Sequence, residues 1–277
     1  MKKIICLLVT FILGIFACFG LASCNGNNEN TIIVGTMAQP GQPILNSVKK
    51  VLAEKGYTLK VQLFSDFNTP NQALAKGSID ANLFQHEPFL NTYNSSNKTD
   101  LFCAAKLYDC VYGGYSKKNI DSVDEIPNGA KITIANDASN MKRCLLILES
   151  AGLITLVDNL PATLAADPYD YIASNPKNLV ISPMDTDMIA ASLSNKDVYL
   201  GLVNATFAIA AGLTSNELVC QEADPEHVNA NILACRAQDK NSDKIKALVE
   251  VLTSDTTKDF INNTFNGTIV PYFVKLV

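Results

Sequence analysis

A chain of 277 residues with 48% apolar and 18% charged residues can bury the core of one large or two ordinary domains, and this composition excludes a disordered chain. The net charge is −5, and because Lys2 and Lys3 are the only charges in residues 1–23, the remainder stands at −7. No basic patch interrupts that acidity, which argues against a nucleic-acid partner.

At the N-terminus, Met1-Lys2-Lys3 is a short positive region and Ile4–Leu21 is uncharged and mostly apolar. Leu21-Ala22-Ser23-Cys24 then resembles the lipobox of bacterial lipoproteins. The resemblance implies a signal peptide over 1–23 and a lipid on Cys24. The competing reading is an uncleaved anchor, since Ile4–Leu21 sits at the lower edge of spanning length. Residues 24–30 read as a polar, flexible tether. Cys6 and Cys18 leave with the signal, so Cys103, Cys110, Cys144, Cys220 and Cys235 remain, an odd set in which at least one thiol lacks an intrachain partner. Their spacing matches no zinc or haem pattern, and they read as small buried hydrophobes.

From Thr31 strands and helices alternate. The sequence predicts strand Thr31–Gly35, helix Pro43–Lys55 with Gly56 after its end, strand Leu59–Phe64, and a short helix from Thr69-Pro70 to Gly77. Strand Ile79–Phe84, helix Glu87–Tyr93 and extended segments Leu101–Leu107 and Val111–Tyr115 follow, and polar Ser116–Asn128 reads as a connection. A second alternation starts with strand Lys131–Ala135. Asn136, Asp137, Ser139 and Asn140 then crowd one turn as cap candidates, and helix Met141–Ala151 is closed by Gly152. Strand Leu179–Ser182, helix Asp185–Leu193, strand Val198–Val203 and helix Ala205–Ala211 come next. Short strands Leu218–Gln221 and Ile232–Arg236 and helices Asp243–Leu252 and Asp255–Phe265 complete the chain. The fold class is α/β: two α/β lobes with a ligand cleft between them.

The predicted strand ends carry Phe64 and Phe67, then Phe84-Gln85-His86, then Asn136–Arg143, Asn204 and Asn231. The first half offers rings and the second offers amides and a guanidinium, a division suited to a small zwitterion with an apolar side chain. With a helix starting at Met141, Lys142 and Arg143 fall in its first turn, where a cation is disfavoured unless an anion joins it. A ligand carboxylate is one such anion, and it would take the planar fork of Arg143. Pairing with Asp137 or exposure to solvent is the structural alternative. On the ligand reading, removal of Arg143 leaves fold stability unchanged or slightly higher. The chain has only two histidines, His86 and His227, and neither shows metal-ligand spacing. No Gly-x-Ser-x-Gly elbow or phosphate-cradling glycine loop appears, so no enzyme activity, cofactor or metal is expected.

Several motifs are specific enough to indicate a family. They are Phe64-Ser-Asp-Phe-Asn-Thr-Pro-Asn-Gln-Ala-Leu74, Asp80-Ala-Asn-Leu-Phe-Gln-His-Glu-Pro-Phe-Leu90 and Gly114-Tyr-Ser-Lys-Lys118. Asn136-Asp137 with Asn140 and Arg143, Asn175-Pro-Lys-Asn-Leu179 and Val203-Asn204-Ala-Thr complete the set. Together they resemble the methionine-binding lipoprotein family (MetQ/NlpA) from Thr31 to the C-terminus. The resemblance implies a type II periplasmic binding protein in which 31–116 plus 232–277 form lobe 1 and 117–231 form lobe 2. Two crossover strands would join them, hinged near Ser116 and Ala230. It implies a monomeric, lipid-anchored solute-binding protein of the bacterial envelope, facing the periplasm or exterior. Such a protein captures L-methionine and delivers it to an ABC permease and ATPase. Arg143 would hold the carboxylate. Asn140, Asn204 and Asn231 would bond the head group, and Phe67, Phe84 and His86 would enclose the thioether, where sulfur–aromatic contacts are favourable. The sequence departs from the family pattern at Phe67, at Cys110-Val111 and at Asn229. These changes leave D-methionine, a related apolar amino acid or a short methionine-containing peptide as alternative ligands. A surface lipoprotein with an adhesion or scaffold role is the other alternative.

Overall fold

Two sheets divide the strands of this protein. Its computed structural model describes residues 30–161, 164, 167–265 and 267–277. The expected signal peptide 1–23, the lipidation site Cys24 and all of the expected tether except Asn30 lie outside the described residues.

In chain order the first half contains β1 (Thr31–Met37), α1 (Gly41–Ser47), α2 (Lys49–Glu54), β2 (Thr58–Phe64), α3 (Thr69–Ala75), β3 (Ala81–His86), α4 (Glu87–Asn97) and β4 (Leu101–Cys110). The second contains β5 (Tyr112–Tyr115), β6 (Lys131–Ala135), α5 (Ala138–Ser150), β7 (Thr155–Leu156), β8 (Ile172–Ser174), β9 (Val180–Met184), α6 (Thr186–Ser192), β10 (Val198–Asn204), α7 (Ala205–Ala210) and β11 (Leu218–Gln221). The chain ends with β12 (Asn231–Arg236), α8 (Asp243–Leu252), α9 (Asp255–Phe265) and β13 (Ile269–Lys275). One sheet has the order β13-β4-β12-β3-β1-β2 and the other β11-β5-β10-β6-β9, with β7 and β8 as a separate pair. Residues Ile32–Val277 form one compact unit.

Each sheet has its own core. Ile32, Leu83, Leu233, Leu248 and Ile261 are buried against the first, and Ile134, Leu145, Leu148, Leu200 and Leu202 against the second. β3 lies inside its sheet and is buried along its whole length. Its polar residues therefore need internal partners. Asn71 Nδ2 donates to Gln85 Oε1 at 2.7 Å, and Asn82 Nδ2 donates to Asn71 Oδ1 at 2.8 Å. Gln85 Nε2 donates to the Oδ1 atoms of Asn71 and Asn82 at 2.7 and 2.9 Å.

Besides the unexpected pair of β7 and β8, the structure departs from the expected elements at four places. The single helix expected over Pro43–Lys55 breaks at Val48, where Ser47 Oγ donates to Ile44 O at 2.7 Å and competes with the helical ladder. β13 is an additional strand, paired with β4 at the sheet edge, where the missing N–H of Pro271 is tolerated. α5 starts at Ala138 and not at Met141, because Asp137 Oδ1 accepts from Asn140 N at 2.9 Å and caps it there. Its C-terminus agrees with expectation: Gly152 adopts φ 73° and its N–H reaches Glu149 O at 2.8 Å.

The fourth departure concerns the lobe boundary. Tyr112–Tyr115 was expected within lobe 1, but β5 pairs antiparallel with β10 and with β11 in the second sheet. The chain thus leaves the first sheet at Val111, five residues before Ser116. Two glycines admit β5 to that position: a Cβ on Gly113 would stand 2.5 Å from Leu218 Cδ1, and one on Gly114 would stand 2.5 Å from Cys220 Sγ. The polar run after Ser116, which reads as a connection between lobes, lies wholly after the crossing. The chain returns through Glu222–Ala230 to β12.

Candidate functional site

Three strand-to-helix junctions converge between the sheets, and each is an N-cap with a site residue three positions on. At the end of β3, His86 caps α4: Phe89 N donates to His86 Nδ1 at 3.2 Å. At the end of β6, Asp137 caps α5 and positions Asn140. At the end of β10, Asn204 caps α7, its Oδ1 accepting from Thr206 N at 2.9 Å, and Phe207 follows.

The His86 junction fixes a protonation state. A backbone N–H can only donate, so Nδ1 is an acceptor and Nε2 carries the hydrogen. Nε2 then donates to Asn140 Oδ1 at 3.0 Å, a bond from the first sheet to the second. Asn140 Nδ2 in turn donates to Asp137 Oδ1 and Oδ2 at 3.2 and 3.0 Å. Such a relay requires neutral imidazole. The His86 pKa is lowered to about 3: burial is the main cause, the nearby charge of Arg143 adds to it, and the bond to Asn140 opposes both.

Six of the seven residues expected to bind ligand line one chamber: Phe67, Phe84, His86, Asn140, Asn204 and Asn231. Gln85 and Phe89 complete its lining. Its apolar wall is a ring cluster. The Phe67 centroid lies 5.7 Å from Phe84, 6.1 Å from Phe89 and 4.9 Å from Phe207, and Phe84 meets Phe89 edge-on at 6.0 Å. Asn231 opens β12, with its backbone in register with His86 and Tyr108. The chamber is filled almost to contact. Its free volume is about 10 Å3, the room one water needs.

Arg143 does not line that chamber. With α5 beginning at Ala138 it lies in the second helical turn, so the first-turn dipole argument does not apply to it. Its partner is neither Asp137 nor solvent. Nε donates to Glu222 Oε1 at 2.9 Å and Nη2 donates to Glu222 Oε2, a bidentate pair with Arg143 4% exposed. Burial lowers the Arg143 pKa, but the hydrogen bond and charge of Glu222 outweigh it and the net shift is upward. The Tyr112 ring lies 4.8 Å from the guanidinium carbon. A larger groove of about 490 Å3 runs beside this pair, bordered by Pro88, Lys142, Leu146, Val228 and Asn229.

Cys110 is buried against the amide wall, its Sγ donating to Asn204 Oδ1 at 3.7 Å, and burial pushes its thiol up to about 11. All five cysteines of the described residues are free thiols, and only Cys220 is not buried. No cluster of His, Cys, Asp and Glu suited to a metal occurs among the described residues.

Phe89, Phe207 and Glu222 did not emerge from the sequence. For the first two a signal existed: each stands three residues after a capping residue at a strand end. Glu222 had none, because its partner is 79 positions away.

Two α/β lobes meeting over a chamber with one aromatic and one amide wall define the periplasmic-binding-protein architecture. Solved structures agree: a nutrient-binding protein from Burkholderia cenocepacia, solved bound to methionine, superposes with a TM-score of 0.82 at 36% identity, covering 87% of this chain and 100% of that one. The NlpA lipoprotein model matches residues 32–273, and the chain belongs to that family. The methionine-binding lipoprotein MetQ of Bacillus subtilis (strain 168) is 37% identical over 259 residues, 91% of this chain and 93% of that protein. The D-methionine-binding lipoprotein MetQ of Salmonella typhi is 35% identical over 253 residues, 89% and 91% of the two chains.

Proposed function

We propose that this protein is a lipid-anchored, monomeric solute-binding protein, not an enzyme, that captures methionine or a closely related apolar amino acid. It closes its lobes on the ligand and delivers it to an ABC importer of permease and ATPase at the cell envelope, held there by a lipid on Cys24. The observation that carries this reading is the convergence of Phe67, Phe84, His86, Asn140, Asn204 and Asn231 on one chamber between the sheets. Rings enclose the thioether, and Asn204 and Asn231 serve the head group beside His86, on which the charge of Arg143 acts. The names of the relatives and the methionine in the Burkholderia structure support the ligand class.

A chamber of about 10 Å3 admits an amino acid only when the lobes part. The hinge of that motion is assigned to Val111 and to the Glu222–Ala230 return, so lobe 1 is 31–111 with 231–277 and lobe 2 is 112–230. Closure re-forms the His86–Asn140 bond. Hinge closure of periplasmic binding proteins is a known mode of motion, applied here by analogy. The groove beside Arg143 favours a second reading, in which the ligand is a short methionine-containing peptide whose remaining residues run along Pro88, Leu146 and Val228.

The experiment is calorimetric titration with L- and D-methionine, with small-angle scattering on the same samples, after unfolding and refolding to strip carried ligand. Saturable heat with compaction is expected for at least one enantiomer. No heat and no compaction with either, in a protein that regains its melting transition, overturns the reading.

A further inference from the structure

Before β12 begins, the return crossing is fastened to the first lobe at His227. His227 Nδ1 donates to the Asp109 carboxylate at 2.6 Å, and Asp109 stands on β4 just before the outward crossing at Val111. The His227 ring stacks on Tyr272 of β13, with 4.0 Å between centroids and 15° between planes. Its backbone oxygen accepts from Lys106 Nζ of β4 at 3.4 Å. His227 also holds a left-handed backbone, φ 52°, which a residue with a Cβ keeps where its surroundings hold it there. Its side chain is 38% exposed, so no core packing accounts for these ties.

The neighbouring bonds show what the fastening does. His227 N donates to Asp224 O at 3.1 Å, and Asp224 Oδ1 and Oδ2 accept from Val228 N and Asn229 N at 3.1 and 2.7 Å. Asp224–Asn229 is therefore one internally bonded turn, and His227 fixes it to lobe 1. Glu222 is tied to lobe 2: its N–H donates to Tyr112 O at 2.8 Å, and its carboxylate pairs with Arg143. Ala223 alone separates the two anchorages. Across it, Asn229 Nδ2 donates to Glu222 Oε1 at 2.9 Å. A cavity of about 110 Å3 lies between the crossings and gives them room to turn; Asp109, Cys110 and Val111 line it from one, Glu222, Asp224 and Asn229 from the other.

We propose that His227 is a positioning residue for ligand binding: by fastening the Asp224–Asn229 turn to lobe 1 it confines rotation to Ala223 and Val111, so that closure brings Asn140 to His86 and Asn229 to Glu222 along one path. This rests on the lobe-closure reading above and places the pivot of the return crossing at Ala223. Without the fastening, the turn moves freely while the lobes are open and closure has to order it. That cost falls on ligand affinity although no chamber residue has changed.

The test combines calorimetric titration of the full chain with L- and D-methionine and small-angle scattering of the ligand-free protein. It compares wild type, His227→Gly, His227→Asn, Asp109→Ala and the double variant of His227→Gly with Asp109→Ala. Glycine keeps the left-handed backbone and removes both the stack and the bond to Asp109. Asparagine tolerates the same backbone and carries a donor where Nδ1 stands, so it keeps the bond and loses the stack. His227→Gly is expected to weaken binding about tenfold, roughly 1.4 kcal/mol, and to shift ligand-free scattering toward a more extended form, with its melting transition retained. His227→Asn should recover part of that loss. The double variant should bind no more weakly than His227→Gly alone, because Asp109 acts through His227. His227→Gly binding within about twofold of wild type, or a double variant whose loss is the sum of the singles, overturns the proposal while the methionine reading stands. An affinity loss accompanied by loss of the ligand-free melting transition marks His227 as a general stabiliser and overturns it too. Failure of wild type to bind either enantiomer overturns the methionine reading, and the proposal with it.

Discussion

The two walls of the chamber are held by different physics. The first-lobe wall is apolar and local: Phe84 and His86 come from one strand and Phe89 from the helix that follows it. Behind them the amide network of Asn71, Asn82 and Gln85 satisfies itself without a charge. Beside the chamber, the second lobe carries a polar pair that is long-range. Arg143 on α5 depends on Glu222 beyond β11, and Glu222 depends on Asn229 in the return crossing. Packing of the first kind degrades gradually when one ring is cut. A buried ion pair fails abruptly, because the surviving charge stays buried.

The sharpest way to break this contrast is Arg143→Ala. It leaves the Glu222 carboxylate, 13% exposed as a side chain, with Asn229 as its side-chain partner. Breaking a buried pair from one side costs about 3–5 kcal/mol, and urea melts should show a loss of that size. This reverses the sequence-based expectation that stability would hold or rise, which assumed a lone cation in a first helical turn. Arg143→Leu with Glu222→Leu should recover most of the loss, since replacing both partners by apolar groups is often neutral. An Arg143→Ala protein as stable as wild type would mean that the pair contributes nothing to the fold.

Sequence reasoning reached what is written in neighbouring residues. The rings after β2 and β3, the cap at Asp137, Gly152 closing α5 and the polar ends of β10 and β12 all follow from local chemistry, and the structure puts a residue from every one of those strand ends at the chamber. Most of the motifs naming the family lie in the same stretches. What escaped depends on pairing at a distance. The crossing at Val111 is set by β10 and β11 accepting two glycines, the edge strand β13 by register with β4, and the fate of Arg143 by a glutamate 79 residues on. A shift of three residues in where α5 begins was enough to move Arg143 from the first turn to the second and change its electrostatics.

On the first-lobe wall, Phe84→Ala should lower methionine affinity by roughly 2–4 kcal/mol, through lost contact and a chamber opened to water. Calorimetric titration measures it, and an affinity within experimental error of wild type would remove the rings from the ligand's environment. Folding should remain cooperative.

The support of that wall can be tested separately. Asn71 is fully buried and bonds both Asn82 and Gln85, so Asn71→Leu leaves two buried amides short of a partner. A stability loss of about 1–3 kcal/mol is expected in denaturant melts. Adding Asn82→Leu and Gln85→Leu should return part of it, because these two also bond each other and both stranded groups are then removed. A triple variant worse than the sum of the singles would show that packing, not unmet hydrogen bonding, governs this layer.

The effect that links the walls belongs to His86. In the fold its pKa is lowered to about 3 from an ordinary value near 6.5, burial being the main cause. Between those values the unfolded chain binds a proton that the folded chain refuses, so stability rises with pH across the window. The contribution is complete above about pH 6.5 and is lost as pH falls toward 3, with a slope of at most about 1.4 kcal/mol per pH unit. Carboxylates add their own acid sensitivity, so the informative quantity is the difference from His86→Asn, which keeps a capping acceptor for α4 but has no imidazole to protonate. Wild type should lose its advantage over that variant as melts are moved from about pH 7 to about pH 4. Protonation would also put a hydrogen on Nδ1, where Phe89 N already donates, so the cap and the bridge to Asn140 cannot both survive it. Methionine affinity should accordingly stay flat from about pH 6.5 to 8, where imidazole is neutral in this site throughout. An NMR titration of the His86 ring with a midpoint near 6.5 in the folded protein would contradict this assignment, and would make the histidine a reader of charge in the head-group wall and not a fixed strut between the lobes.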